Sequence, residues 1–204
     1  MADFLSARDD VQRELRTVGL INLVWAIDAQ ESWAPSDHVL LAVGLYHYGG
    51  DGLGRIAIPA LAVRSHTAWV KLMRWLGRDA GSQISLRDVL RHEYGHALAH
   101  ALGRIDRLGR PFGRGACVTA YAETSPDEDF AETFMLFLKS QGRLRGQRHP
   151  DVRAKWAAVQ RAITAGSRRR LPVEVLCGGC AADVLAWTSR TIRCPACGTP
   201  NVLA

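Results

Sequence analysis

The 204-residue sequence predicts an α+β fold, in which a helical body with a small sheet is followed by a short cysteine-rich unit. Three observations carry this reading. Helix-period apolar patterns dominate the body, two β-like runs flank a glycine-rich stretch, and four of the five cysteines form two C-x-x-C pairs in the last 28 residues.

The composition, 48% hydrophobic and 23% charged with 19 Gly and 8 Pro, is that of an ordinary globular chain. It excludes wholesale disorder and collagen-like repeats, and the length suits one domain plus an appendage. The longest clean apolar stretch, 39–46, is too short to span a bilayer, and Asp3, Arg8, Asp9 and Asp10 interrupt the N-terminus. Neither a transmembrane helix nor a Sec-type leader is expected, which predicts a cytoplasmic protein with no membrane partner.

Taken in order, 3–18 places Phe4, Leu5, Val11, Leu15 and Val18 mainly at helical spacing. The apolar run 20–27 fits a helical extension or a strand. Runs 38–48 and 55–58 read as a hairpin around the glycine-rich 49–54, which lacks the Gly-Lys-Ser/Thr of a phosphate loop. A short helix over 67–76 ends at Gly77. Ser85 caps a longer one over 86–102 that stops at Gly103. The Gly- and Arg-rich stretch 104–115 reads as loop. Ser125-Pro126 opens the next helix, with apolar Phe130, Phe134, Phe137 and Leu138, and a last one covers 151–165. The basic stretch 167–170 marks a boundary, dividing the chain into a body of 1–170 and a unit of 171–204.

In that second unit, Cys177-Gly-Gly-Cys180 and Cys194-Pro-Ala-Cys197 present four thiolates to one tetrahedral Zn²⁺, as in a structural zinc ribbon. Runs 184–187 and 191–193 read as two short strands between the pairs. So small a segment cannot stabilise a core alone, and metal binding supplies its folding energy. Disulfides are disfavoured without a secretory signal. Cys117 has no partner in spacing and reads as a small buried or half-buried thiol.

Charge is uneven. Residues 1–138 carry 14 Lys/Arg against 17 Asp/Glu, a net of −3, and residues 139–204 carry 12 against 3, a net of +9. The basic C-terminal region reads either as a solvated face or as the site of an anionic partner, nucleic acid or an acidic protein surface.

The helix over 86–102 contains His92-Glu93-Tyr94-Gly95-His96. Histidines at i and i+4 lie on one helical face, so their ring nitrogens can meet a single Zn²⁺. Glu93 is rotated off the ligand axis and is placed to take a proton from an attacking water that the metal has acidified. The alternative is two core or solvated histidines. In a chain of this composition an accidental H-E-x-x-H arises with odds of about 1%. A catalytic zinc needs a third protein ligand. His100 cannot serve, since eight residues of helix rise about 12 Å. Glu128 and Glu132, at i and i+4 on the next long helix, supply a ligand in Glu128 and a hydrogen-bond acceptor for a ligating histidine in Glu132. Ser125-Pro-Asp-Glu128 is equally a capping box, which leaves Glu128 with a purely structural alternative.

H-E-Y-G-H followed by E-D-F-A-E resembles the gluzincin metallopeptidases. The stretch from Tyr121 through Thr124, Glu128, Phe130, Ala131, Glu132 and Phe134 is similar to the anthrax lethal-factor type of catalytic domain. The resemblance covers about a quarter of the chain, 85–138, and implies a zincin-like fold. It implies His92, His96 and Glu128 as ligands of a catalytic zinc, Glu93 as general base and Glu132 as a supporting carboxylate. Tyr121 would be the donor to the developing oxyanion, against the alternative of a packing tyrosine. It also implies an edge strand offered to an extended substrate, for which 55–59 is the candidate. The four-cysteine ribbon lies outside the lethal-factor pattern. Zincin-plus-ribbon architecture is similar to the SprT/Spartan group, whose third ligand is a histidine that this chain lacks.

The sequence therefore predicts a zinc endopeptidase acting on a peptide or protein substrate, with one catalytic and one structural zinc. The alternative is a zinc-ribbon binding module for nucleic acid or a protein partner, with the body inactive or auxiliary.

Overall fold

The computed structural model describes residues 2–33, 44–48, 54–75, 85–103, 111–146, 149–187 and 191–202. It is a mixed α+β protein. The chain runs α1 (Ala2–Thr17), α2 (Ile21–Ala26), β1 (Ile27–Ser32), β2 (Leu45–Tyr48), β3 (Gly54–Pro59), α3 (Ala60–Arg64), α4 (His66–Trp75) and α5 (Leu86–Ala101). A single 3-10 turn (Tyr121–Glu123) then leads into α6 (Pro126–Lys139) and α7 (Pro150–Gly166). Four short strands follow: β4 (Pro172–Leu176), β5 (Asp183–Trp187), β6 (Thr191–Arg193) and β7 (Pro200–Val202). Among the described residues no helix is long and apolar enough to cross a membrane.

The apolar run 20–27 divides between the two readings the sequence allowed. Its first part is helical, and Ile27 opens β1. The sheet has the order β1-β3-β2, with β1 parallel and β2 antiparallel to β3. The run 55–59, expected at an edge, is thus the central strand. Its alternate residues Ile56 and Ile58 are fully buried, and Pro59, which lacks an N–H, closes the ladder as its last residue. Antiparallel pairing of 45–48 with 54–57 matches the expected hairpin, whereas 38–43 and the turn 49–53 lie outside the described residues. So do Gly77, most of the loop 104–115, Ser189 and Arg190.

Helix α5 is the axis of the body. Ser85 Oγ accepts the Asp88 N–H at 3.2 Å and starts the helix, and Gly103 leaves it with φ of 85°. On one side Arg91 makes a bidentate pair with Glu14 of α1, Nη2 at 2.7 Å and Nε at 2.8 Å. Gln12 donates to the Tyr94 hydroxyl at 3.4 Å on the same side. On the other side α5 packs on α6. The crossing is closest at Gly95, where an added Cβ would lie 2.9 Å from Ala131 Cα. Lys139, at the end of α6, reaches Asp88 at 3.0 Å and ties the two helices a second time.

Helix α7 packs its Val152, Trp156, Val159 and Ile163 face inward. Lys155 is fully buried from the same helix, with Nζ 2.7 Å from Asp129, 2.9 Å from the Ala116 carbonyl and 3.2 Å from Cys117 Sγ. Burial works against the ammonium, but Asp129 and Cys117 outweigh it and raise the Lys155 pKa. Cys117 is half-buried, and burial pushes its thiol up.

The strands 184–187 and 191–193 were expected to lie between the cysteine pairs, and they do, but they do not pair with each other. β5 pairs with β4 and β6 with β7, both antiparallel, so each C-x-x-C is the turn of its own hairpin. Leu171 and Val173 are buried in the main core, and Asn22 donates to the Arg169 carbonyl at 2.9 Å. The first hairpin therefore leaves directly from the body.

Lys155→Met should destabilise the fold by about 3–5 kcal/mol, because Asp129 is left as an uncompensated buried charge. Lys155→Met/Asp129→Leu should recover most of that loss in urea titrations. With a raised folded pKa, the pair's contribution is fully present below the unfolded lysine value of about 10.4. It is lost as pH climbs through the higher folded value, and acid down to neutral pH leaves it intact.

Candidate metal centres

The sequence singled out His92, His96, Glu128, Glu132, Glu93 and Tyr121, and the fold gathers them on two helices and one turn. His92 and His96 project from consecutive turns of α5, with their Nε2 atoms 3.0 Å apart. Glu128 Oε2, from the first turn of α6, lies 3.0 Å from His92 Nε2 and 3.5 Å from His96 Nε2. Ligand atoms around a tetrahedral zinc at 2.0–2.1 Å stand about 3.3 Å from one another, so the three match that spacing. These residues form a group that can hold a metal ion.

The capping alternative for Glu128 resolves locally. Ser125 Oγ accepts the Glu128 N–H at 3.1 Å, so the N-cap exists, while the Glu128 carboxylate is turned to the histidines. One residue serves both ends: its backbone starts the helix and its side chain completes the site.

Glu132 is fully buried, and its Oε1 accepts from His92 Nδ1 at 3.0 Å. That bond fixes the ring so that Nε2 presents its lone pair towards His96 and Glu128. Glu132 Oε2 accepts from the Thr119 hydroxyl at 2.8 Å, and Thr119 Oγ1 accepts the Ala122 N–H at 3.1 Å. The relay thus reaches back into the turn that carries Tyr121, whose ring centroid lies 5.9 Å from that of His92. Thr119 carries no sequence motif and was not anticipated.

Glu93 is buried beside the strand end that leads into β2. A Cβ on Gly44 would come 3.0 Å from Glu93 Oε1 and 2.5 Å from Val89 Cγ1, so only glycine lets the chain pass there. Gly44 is a second residue that sequence reasoning missed. Its signal, a lone glycine opening a β-like run, is too common to read. His100, expected away from the metal, is exposed at the far end of α5 with its ring 6.1 Å from that of Tyr46.

The electrostatics call for a cation. Burial works against an imidazolium at His92, yet Glu128, Glu132 and Glu93 outweigh it and hold its pKa up to about 10. Burial alone would raise Glu128, but His92 and His96 bring it far below the usual carboxylate range. Three carboxylates crowd two imidazoles in a largely dry space. A divalent ion held by His92, His96 and Glu128 would offset that charge.

The four C-terminal cysteines make a second group. All four Sγ atoms lie within 4.8 Å of one another, with Cys177 to Cys197 at 3.6 Å and Cys180 to Cys194 at 3.8 Å. Thiolates about 2.3 Å from a tetrahedral ion stand about 3.8 Å apart. The Gly179 N–H, donating to Cys177 at 3.3 Å, heads the donors that bring Cys177 down to about 6. At Cys180 the Ala182 N–H pulls the same way, but the neighbouring sulfurs outweigh it and push the thiol up to about 12. Four sulfurs this close cannot all ionise without a cation between them.

No family model matches this chain, and neither a curated protein nor a solved structure matches it.

Elemental analysis of protein prepared without chelators should find two metal equivalents per chain. Glu128→Ala should remove one and Cys194→Ser the other. Glu132→Ala should weaken the first site by about 10–100-fold in competition with a chromogenic chelator. Thr119→Val should shift affinity in the same direction by a smaller factor.

Proposed function

We propose that the chain is a zinc-dependent endopeptidase of gluzincin type, a zincin-like catalytic domain with an appended structural zinc ribbon. The observation that carries the reading is the convergence of His92, His96 and Glu128 while Glu93, between the two histidines in sequence, stays out of the set. Three protein ligands with a carboxylate left over suit a hydrolytic site; a purely structural site uses four. Zinc held there supplies Lewis acidity, polarising the scissile carbonyl and acidifying water.

The chain's own residues do the rest. Glu93 takes the proton of the attacking water and delivers it to the leaving amine. Its burial against Val89 and the Gly44 backbone limits its rotamers and keeps it near its task. Glu132 holds the His92 ring, and the Tyr121 phenol donates to the oxyanion as it develops. An extended substrate pairs along β2, which among the described residues is an edge of the sheet and runs beside α5. Main-chain bonding there gives affinity without demanding particular side chains.

Glu93→Gln should lower peptide cleavage by about 10²–10⁴-fold while both metals stay bound, measured on a mixture-based peptide library with parallel elemental analysis. Cleavage at the wild-type rate in that variant would remove Glu93 as the base and the peptidase reading with it.

A further inference from the structure

The net +9 of residues 139–204 is not carried by the ribbon. Residues 139–170 hold ten Lys/Arg against Asp151 alone, whereas 171–204 hold two of each sign. We propose that the solvent face of α7 and the arginines that follow it form a binding surface for the phosphate backbone of duplex nucleic acid. This goes beyond the peptidase reading and does not depend on it.

Arg153, Arg161 and Arg168 recur at i, i+8 and i+15, on one side of α7 and its exit, about 12 Å and then about 10 Å apart along the axis. Arg169 and Arg170 follow directly at the helix exit, and all five are exposed. Among the described residues none of them is in an ion pair, and no Asp or Glu occurs from 152 to 173. The remaining cation of the helix, Lys155, is turned inward to Asp129. Five exposed guanidiniums flanking a stretch, 152–173, that holds no Asp or Glu match a polyanion.

The side chains between the arginines narrow the partner. Ala157, Thr164 and Ala165, with Gln160, line an open groove between Arg161 and Arg168, so a backbone can approach the helix closely. The face carries no large apolar residue to insert into a lipid surface. It carries no aromatic residue on which unpaired bases would stack, which disfavours single strands. Duplex DNA or RNA presents one charge per about 1.7 Å of axis and asks only for a row of cations. The opposite face of α7 is the one packed in the core, so the surface can be altered without touching the metal residues.

The test uses full-length, zinc-loaded protein and a fluorescent DNA duplex of about 20 base pairs, read by anisotropy from 50 to 200 mM NaCl. Wild type should bind with log K falling linearly in log salt. Arg161→Gln/Arg168→Gln/Arg169→Gln should bind at least about tenfold more weakly at low salt, with the slope reduced by about 2–3, at unchanged circular dichroism and zinc content. Glu93→Gln should bind as wild type does, which separates this surface from the peptidase reading. The proposal is overturned if wild type shows no salt-dependent duplex binding or if the triple variant binds equally well. It is also overturned if polyglutamate or phosphatidylserine vesicles outcompete the duplex.

Discussion

The contact on which the rest depends is the crossing of α5 and α6 at Gly95. Ala131 Cα stands 2.9 Å from where a Cβ would go, too close for one, so the two helix backbones approach this far only because that position has none. The consequence is geometric. Gly95 immediately precedes His96, one turn after His92, while Ala131 sits between Glu128 and Glu132. Closing the helices at this point therefore brings both histidines against both glutamates at once. A residue of any size at 95 would open the gap and move the carboxylates off the imidazoles together. The glycine inside the H-E-Y-G-H motif is thus a packing requirement of the site.

That close approach is held in register by charge. α5 buries Asp88, Arg91, His92 and Glu93, and α6 buries Asp129 and Glu132. Each of the non-site charges among these finds a partner on another element or nearby: Arg91 on Glu14, Asp88 on Lys139 and Arg91, Asp129 on Lys155. Buried pairs of this kind return little net stability, because desolvation offsets most of the attraction. Their leverage lies in what they forbid. A slip of α6 along α5 would pull Lys139 from Asp88 and both glutamates from the histidines, with Glu132 left buried. Ordinary hydrophobic packing, with its tolerance for small shifts, would not impose such a penalty.

Much of this was legible in the sequence because it is local. H-E-x-x-H and E-x-x-x-E state their geometry through the helical period, and C-x-x-C states its own through the turn. The helices 86–102, 126–138 and 151–165 emerged within a residue or two because capping residues, Pro and Gly mark their ends. What was not legible depends on contacts between distant segments. The centrality of β3 requires a parallel partner, β1, that arrives from the far side of the 33–54 connection, and periodicity carries no strand order. The pairing of β5 with β4 in place of β6 follows from each knuckle closing its own hairpin, which spacing alone does not distinguish. Thr119 enters the site only because the turn after it lies over α6. Gly44 matters only because Val89 and Glu93 occupy the space a side chain would need. Glu128 shows the limit most clearly: the sequence offered cap or ligand as alternatives, and in the fold its backbone N–H meets the Ser125 cap while its carboxylate joins the group that can hold a metal.

The division of charge along the chain has a spatial counterpart. Around the α5–α6 crossing the surplus is negative and buried, three glutamates against two histidines, a field that draws a small cation inward. On the outer side of α7 the surplus is positive and exposed, in a stretch, 152–173, that holds no Asp or Glu. Lys155 is where the two regimes meet. It is the one basic residue of α7 drawn inward, and it spends its charge on Asp129, the residue next to Glu128. A basic helix can thus be packed directly behind an acidic cluster because its single inward-facing cation is matched by Asp129.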